Sequence, residues 1–112
     1  MKKNPKIFLQ HIIECIEEIE KHIKGVSEKR FMDDVKTQDA VIRRIEIIGE
    51  ATKNLPFGFK KKNPQIEWRE IAGMRDKLIH EYFGVNIDLV WVVIKNDIPK
   101  LKKQISELLE KF

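Results

Sequence analysis

Apolar residues recur along most of this chain at intervals of three and four, the signature of helices with one buried face. Leu9, Ile12, Ile16, Ile19 and Ile23 form the first such stripe. Pro5 suits a first helical turn and Gly25 an end, which predicts a helix over 5–24 with Glu14, Glu17, Glu18 and Lys21 on its solvated face. A second stripe, Val41, Ile45, Ile48 and Leu55, widened by Ile42 and Ile47, predicts a central helix over 35–54. Gly49 falls inside it at a cost of about 1 kcal/mol relative to alanine, which predicts that another helix approaches closely there. Trp68, Ile71, Leu78 and Ile79 predict a third helix over 67–83, with Gly84 as a left-handed cap. Asn86 then caps a fourth helix, with Asp88 in its first turn. Its stripe runs through Trp91, Ile94, Ile98, Leu101, Ile105, Leu108 and Phe112, with a kink expected at Pro99.

The connections are short. In "VSEKRFMDD" (26–34), Ser27 caps a brief turn that points Phe31 back at the core. "LPFGFKKKNPQI" (55–66) reads as a loop with one helical turn, and its Lys60–Lys62 run as a solvated face. No period-two alternation and no internal repeat interrupts the helical pattern. The expected architecture is all-α: one domain over 1–112, a bundle of four main helices joined by short helical turns.

Composition narrows the function classes. With 112 residues, 42% hydrophobic and 36% charged, the chain suits one folded domain and is too apolar for a disordered one. The net charge of +4 admits a polyanionic partner such as RNA without requiring one. Cys15, the one cysteine, cannot form an internal disulfide and sits in the first apolar stripe, so it reads as a buried structural residue. The amino-terminal stretch carries charges throughout and does not read as a signal peptide. No segment is apolar enough over a sufficient length to span a membrane, and a cytoplasmic location is expected.

Chemistry concentrates in "GMRDKLIHEYFG" (73–84), which gathers Arg75, Asp76, His80 and Tyr82 between two glycines. On a helix turning about 100° per residue, Asp76 and His80 share one face, and Arg75 and Tyr82 another. Two copies of such a segment at a symmetric interface pool their side chains. A neutral histidine can take a proton from a ribose 2′-hydroxyl or give one to a leaving 5′-oxygen. An arginine holds phosphate with two parallel hydrogen bonds and offsets charge in the transition state. A carboxylate one turn away fixes the histidine tautomer, and a tyrosine stacks on a base or bonds a phosphate. That set suffices for metal-free RNA cleavage through a 2′,3′-cyclic phosphate. The same residues also admit a structural reading, with a surface histidine, rim ion pairs and a tyrosine whose ring fills the core.

Other motifs add no cofactor. His11 and His22 lie about 16 Å apart along the first helix and cannot share an ion. Zinc-ligand spacings and phosphate-cradling glycine loops are absent from the sequence, so neither a metal nor a cofactor is expected.

Arg75, four residues, His80, one residue and Tyr82, with polar Asp76 after the arginine, resembles the signature of HepT-like HEPN toxins. "QDAVIRRIEIIGEATKNLP" resembles that family's second helix, and "IEWREIAGMRDKLIHEYFGVNIDLVWVVIKNDIPKL" its catalytic segment and the helix after it; the likeness covers about 30–102. The resemblance implies a helical HEPN domain, a homodimer with active sites where the two motif segments meet, and a metal-independent endoribonuclease of a type VII-like toxin–antitoxin pair. It implies Arg75 and His80 as catalytic, Asp76 as support for His80, and Tyr82 as a substrate-pocket residue that receives AMP from an MntA-like nucleotidyltransferase antitoxin. The alternative is a non-catalytic helical dimer that binds a nucleotidyltransferase or a nucleotide.

Overall fold

Asn4 opens the first helix: its side-chain oxygen accepts from the Lys6 amide at 3.0 Å, and Pro5, which has no amide proton to satisfy, takes the first turn. The computed structural model describes residues 4–80 and 84–112, with the backbone alone at His80. Helix α1 (Pro5–Ile23) buries Leu9, Ile12, Cys15, Ile16 and Ile19 and ends before Gly25, whose φ of +74° turns the chain away. The Cys15 thiol, buried among these isoleucines, has its pKa raised by desolvation.

Helix α2 (Glu28–Asp33) is the expected short turn, with Ser27 Oγ accepting from Arg30 N at 3.1 Å. It drives Phe31 fully into the core, where its ring lies 5.1 Å from that of Trp91. Asp34 then caps α3 (Val35–Asn54) by accepting from the amide and the hydroxyl of Thr37 at 3.1 and 2.7 Å. Within α3, Val41, Ile45 and Ile48 are buried against α1, which makes this the central helix. Gln38 and Thr52 are buried polar residues of this helix; the Gln38 Nε2 donates to the carbonyls of Phe31 and Met32 at 2.7 and 3.0 Å, tying α2 to α3.

The loop after α3 contains α4 (Phe57–Lys62). Lys60 is not simply solvated, since its Nζ donates to the Thr52 carbonyl at 3.2 Å, while Lys61 and Lys62 are exposed. Trp68 Nε1 donates to the Asn63 carbonyl at 2.9 Å and closes the loop.

The expected third helix over 67–83 is corrected. The chain forms α5 (Trp68–Ala72), turns at Gly73, forms α6 (Met74–Leu78) and then extends into β1 (Ile79–His80). Strand β1 pairs antiparallel with β2 (Gly84–Val85), Ile79 opposite Val85 and His80 opposite Gly84. Ile79 has φ −113° and ψ 122°, the extended backbone that β-branched side chains favour. The Asn86 amide donates to the Leu78 carbonyl at 2.8 Å, so a returning strand takes the acceptor that the end of α6 leaves over. Gly84 does take the left-handed region (φ +76°), but in a strand rather than at a helix end. The pair is the one departure from all-α architecture among the described residues.

Asn86 caps α7 (Ile87–Val92) by accepting from Leu89 N at 3.1 Å, with Asp88 in the first turn. A π-helical turn (Val93–Asp97) links it to α8 (Ile98–Leu109). Pro99 has no amide for the Lys95 carbonyl, and its ring crowds that oxygen; the widened turn directly before it accommodates both. Ile94, Ile98, Leu101, Ile105 and Leu108 are buried as expected. Phe112 is not part of that buried stripe: it is 55% exposed, at the far end, with its ring 6.1 Å from Phe59.

Candidate functional site

Arg75 stands on α6, five residues of helix anchored by the buried side chains of Met74 and Leu78. Its own side chain is 48% exposed. Nε donates to Glu46 Oε2 on α3 at 3.2 Å, and Nη1 lies 3.6 Å from Asp76 Oδ1, an ion-pair distance. These side chains line a groove of about 460 Å³ between α1, α3 and α6, to which Phe8, His11 and Arg43 also contribute. Its lining mixes cationic and anionic side chains, among them Arg43, Lys53, Glu46 and Glu50, with apolar ones such as Phe8 and Ile47.

Close packing behind the groove creates the Arg75–Glu46 contact. A Cβ on Gly49 would lie 3.1 Å from the Ala72 carbonyl oxygen, so the bare glycine lets α5 settle on α3. Glu46 precedes Gly49 by one turn, and Arg75 follows Ala72 by three residues. Glu46 and Arg43 were not picked out by the sequence pattern. They lie on the polar side of α3, and their one signal was that charged positions recur there at helical spacing opposite the apolar stripe.

Of the residues expected to act, Arg75 and Asp76 come together at the groove. His80 is on β1, beyond the end of α6, so the one-turn stacking expected between Asp76 and His80 does not describe the chain's path. Asp76 is 75% exposed and directs its carboxylate at Arg75. Tyr82 lies outside the described residues.

A second hollow lies between α5–α6 and α8, lined by Glu67, Glu70, Lys77, Asp97 and Lys100. There Glu70 has its pKa raised, first by a hydrogen bond with Glu67 and then by that carboxylate's charge. Among the described residues, no three His, Cys, Asp or Glu side chains are grouped to hold a metal, and no helix is long and apolar enough to cross a membrane.

A mostly helical domain with an arginine-bearing groove over its central helix is thus the class of protein that the fold defines. The chain belongs to the HepT-like ribonuclease family, whose description, "Ribonuclease HepT-like", matches residues 12–108. It is 54% identical over its whole length to a "gamma-glutamylcyclotransferase and putative RNase" of Methanocaldococcus jannaschii, of which it spans half. It is 49% identical to a "putative RNase" of Caldanaerobacter subterraneus, over 97% of each chain. With a "probable ribonuclease HepT" of Thermococcus cleftensis it shares 51% identity, over 96% of this chain and 98% of the relative. No solved structure matches the chain significantly.

Proposed function

We propose that this protein is a metal-independent endoribonuclease, the toxin of a type VII-like toxin–antitoxin pair. The observation that carries the reading is the family match over 12–108, together with an accessible Arg75 in a groove of mixed charge. Similarity to proteins named as RNases at about half identity supports the activity.

In this reading Arg75 binds the scissile phosphate through paired guanidinium donors and offsets the charge that builds on its oxygens. His80 accepts the 2′-hydroxyl proton while the 2′-oxygen attacks phosphorus. The bond from phosphorus to the 5′-oxygen breaks, and that oxygen takes up a proton. The products are a 2′,3′-cyclic phosphate and a 5′-hydroxyl. A homodimer that joins two motif segments supplies one His80 as base and the other as acid. Asp76 supports the catalytic pair.

Control falls to Tyr82. Its hydroxyl oxygen attacks the α-phosphorus of ATP on an MntA-like nucleotidyltransferase, pyrophosphate leaves, and the phenolic proton is lost. The resulting AMP adds bulk and negative charge where RNA phosphate binds.

The test is incubation of the unmodified protein with total RNA in EDTA, beside Arg75→Ala and His80→Ala. Cleavage by the parent is expected, with a rate strongly reduced in both variants. Cleavage that vanishes with EDTA, or that both variants retain at the parental rate, contradicts the proposal.

A further inference from the structure

Arg75 is held by a residue from a distant part of the chain. Glu46 lies 29 positions earlier, on the long central helix, and its Oε2 receives the Arg75 Nε–H at 3.2 Å. A guanidinium has two donor edges, one formed by Nε with one Nη and the other by the two Nη groups. Glu46 engages Nε and leaves the Nη edge for a planar, two-pronged grip on phosphate. Among the described residues, Asp76 is the other ion-pair partner of Arg75, at 3.6 Å from Nη1 and 75% exposed, so an incoming phosphate can take its place.

The pair contributes little to stability. Both side chains are substantially solvated, 48% for Arg75 and 30% for Glu46, and ion pairs of that kind add almost nothing to folding. Its geometric effect is larger. Arg75 rides on five residues of helix between a glycine turn and a two-residue strand, whereas Glu46 is fixed on a helix of 20 residues whose opposite face is buried. The contact ties the aim of a long side chain to the most firmly packed element of the fold.

We propose that Glu46 is a positioning residue that fixes the Arg75 guanidinium by its Nε–H and presents the Nη edge to an RNA phosphate in the groove. The role rests on the ribonuclease reading. Misaiming a group at the reacting centre lowers turnover by up to about 10²-fold. A carboxylate beside a phosphate site also repels substrate, so its loss does not weaken binding. The signature is therefore a fall in kcat without a rise in KM.

The experiment measures kcat and KM for RNA cleavage by the parent, Glu46→Ala, Glu46→Gln, Arg75→Ala and the Glu46→Ala/Arg75→Ala double variant. Thermal melts accompany the kinetics, because unchanged melts separate aim from folding. Glu46→Ala is expected to lower kcat by about tenfold to 10²-fold with KM equal or smaller. Glu46→Gln keeps an oxygen acceptor for Nε–H and restores most of the rate. In the Arg75→Ala background the loss of Glu46 adds nothing, because the two act as a unit. Unchanged kcat in Glu46→Ala, a loss seen mainly in KM, or full additivity in the double variant overturns the role while the parent still cuts RNA. A parent that neither binds nor cuts RNA overturns the ribonuclease reading, and this role with it.

Discussion

Gly49 and Ala72 meet so closely that a Cβ on the glycine would lie 3.1 Å from the alanine's carbonyl oxygen. This contact sets the height at which α5 and α6 rest on the central helix, and so places Arg75 beside Glu46. Substitution at Gly49 should act on both stability and site. Gly49→Ala falls near break-even in stability, since about 1 kcal/mol of helix propensity offsets the tight contact. Gly49→Val adds methyl groups at the same place and should cost about 1–3 kcal/mol. Urea melts check the stabilities. RNA cleavage by the folded fraction checks the site, where Gly49→Val should lower kcat.

Gln38 provides a second structural test. Its amide satisfies two carbonyls at the α2–α3 junction from a buried position. Gln38→Leu keeps the bulk and removes the donors, which should cost about 1–3 kcal/mol. Equilibrium denaturation reads the loss, and a variant as stable as the parent shows the bonds to be dispensable.

Acid stability carries two opposed contributions. Asp34 has its pKa lowered from 3.8, chiefly by the hydrogen bonds it accepts from the Thr37 hydroxyl and amide. Its contribution is present in full above that ordinary value and is lost as pH falls through the lower folded one. Asp34→Asn should flatten the loss of stability in that acid range. Glu70, held above 4.5 by Glu67, has the opposite sign: the folded state retains a proton more tightly, so stability falls as pH rises from about 4.5 through the raised value. Glu70→Gln should gain stability relative to the parent as pH rises through that window. Melting temperature measured against pH for the three proteins checks both signs.

The helices were legible because their apolar period is unambiguous. Helix α3 matches the expected 35–54, the caps at Ser27 and Asn86 are in place, and Gly49 sits at the predicted close approach. The segment 67–83 misled because its apolar residues fit a helical wheel, while Gly73 and the β-branched Ile79 allow a turn and a strand. There the Asn86 bond to the Leu78 carbonyl, a contact eight residues long, prevails over local periodicity. Arg75 and Asp76 were each recognisable as candidates from their place in a dense polar motif, but the helical spacing set Asp76 beside His80, whereas its carboxylate lies 3.6 Å from Arg75 Nη1. Glu46 was not recognisable, since nothing in linear spacing links it to an arginine 29 residues away. Only the packing of α5 on α3 joins them.

Regulation has its own test. A cognate nucleotidyltransferase with ATP and Mg²⁺ should add one AMP to Tyr82 and suppress cleavage, and Tyr82→Phe should resist both effects of the enzyme. Intact-mass measurement with peptide mapping decides the position. Modification at another residue, or full activity of the Tyr82-modified protein, rejects the switch and leaves cleavage untouched.

The most direct test of the central claim is the chemistry of the cut ends. Purified, unmodified protein is incubated with RNA in EDTA, and the termini are identified by mass spectrometry for the parent, Arg75→Ala and His80→Ala. The parent should leave 2′,3′-cyclic phosphate and 5′-hydroxyl ends, with the rate of His80→Ala reduced by about 10²–10⁴-fold. Termini bearing 3′-hydroxyl and 5′-phosphate, or parental rates in His80→Ala, would contradict that claim.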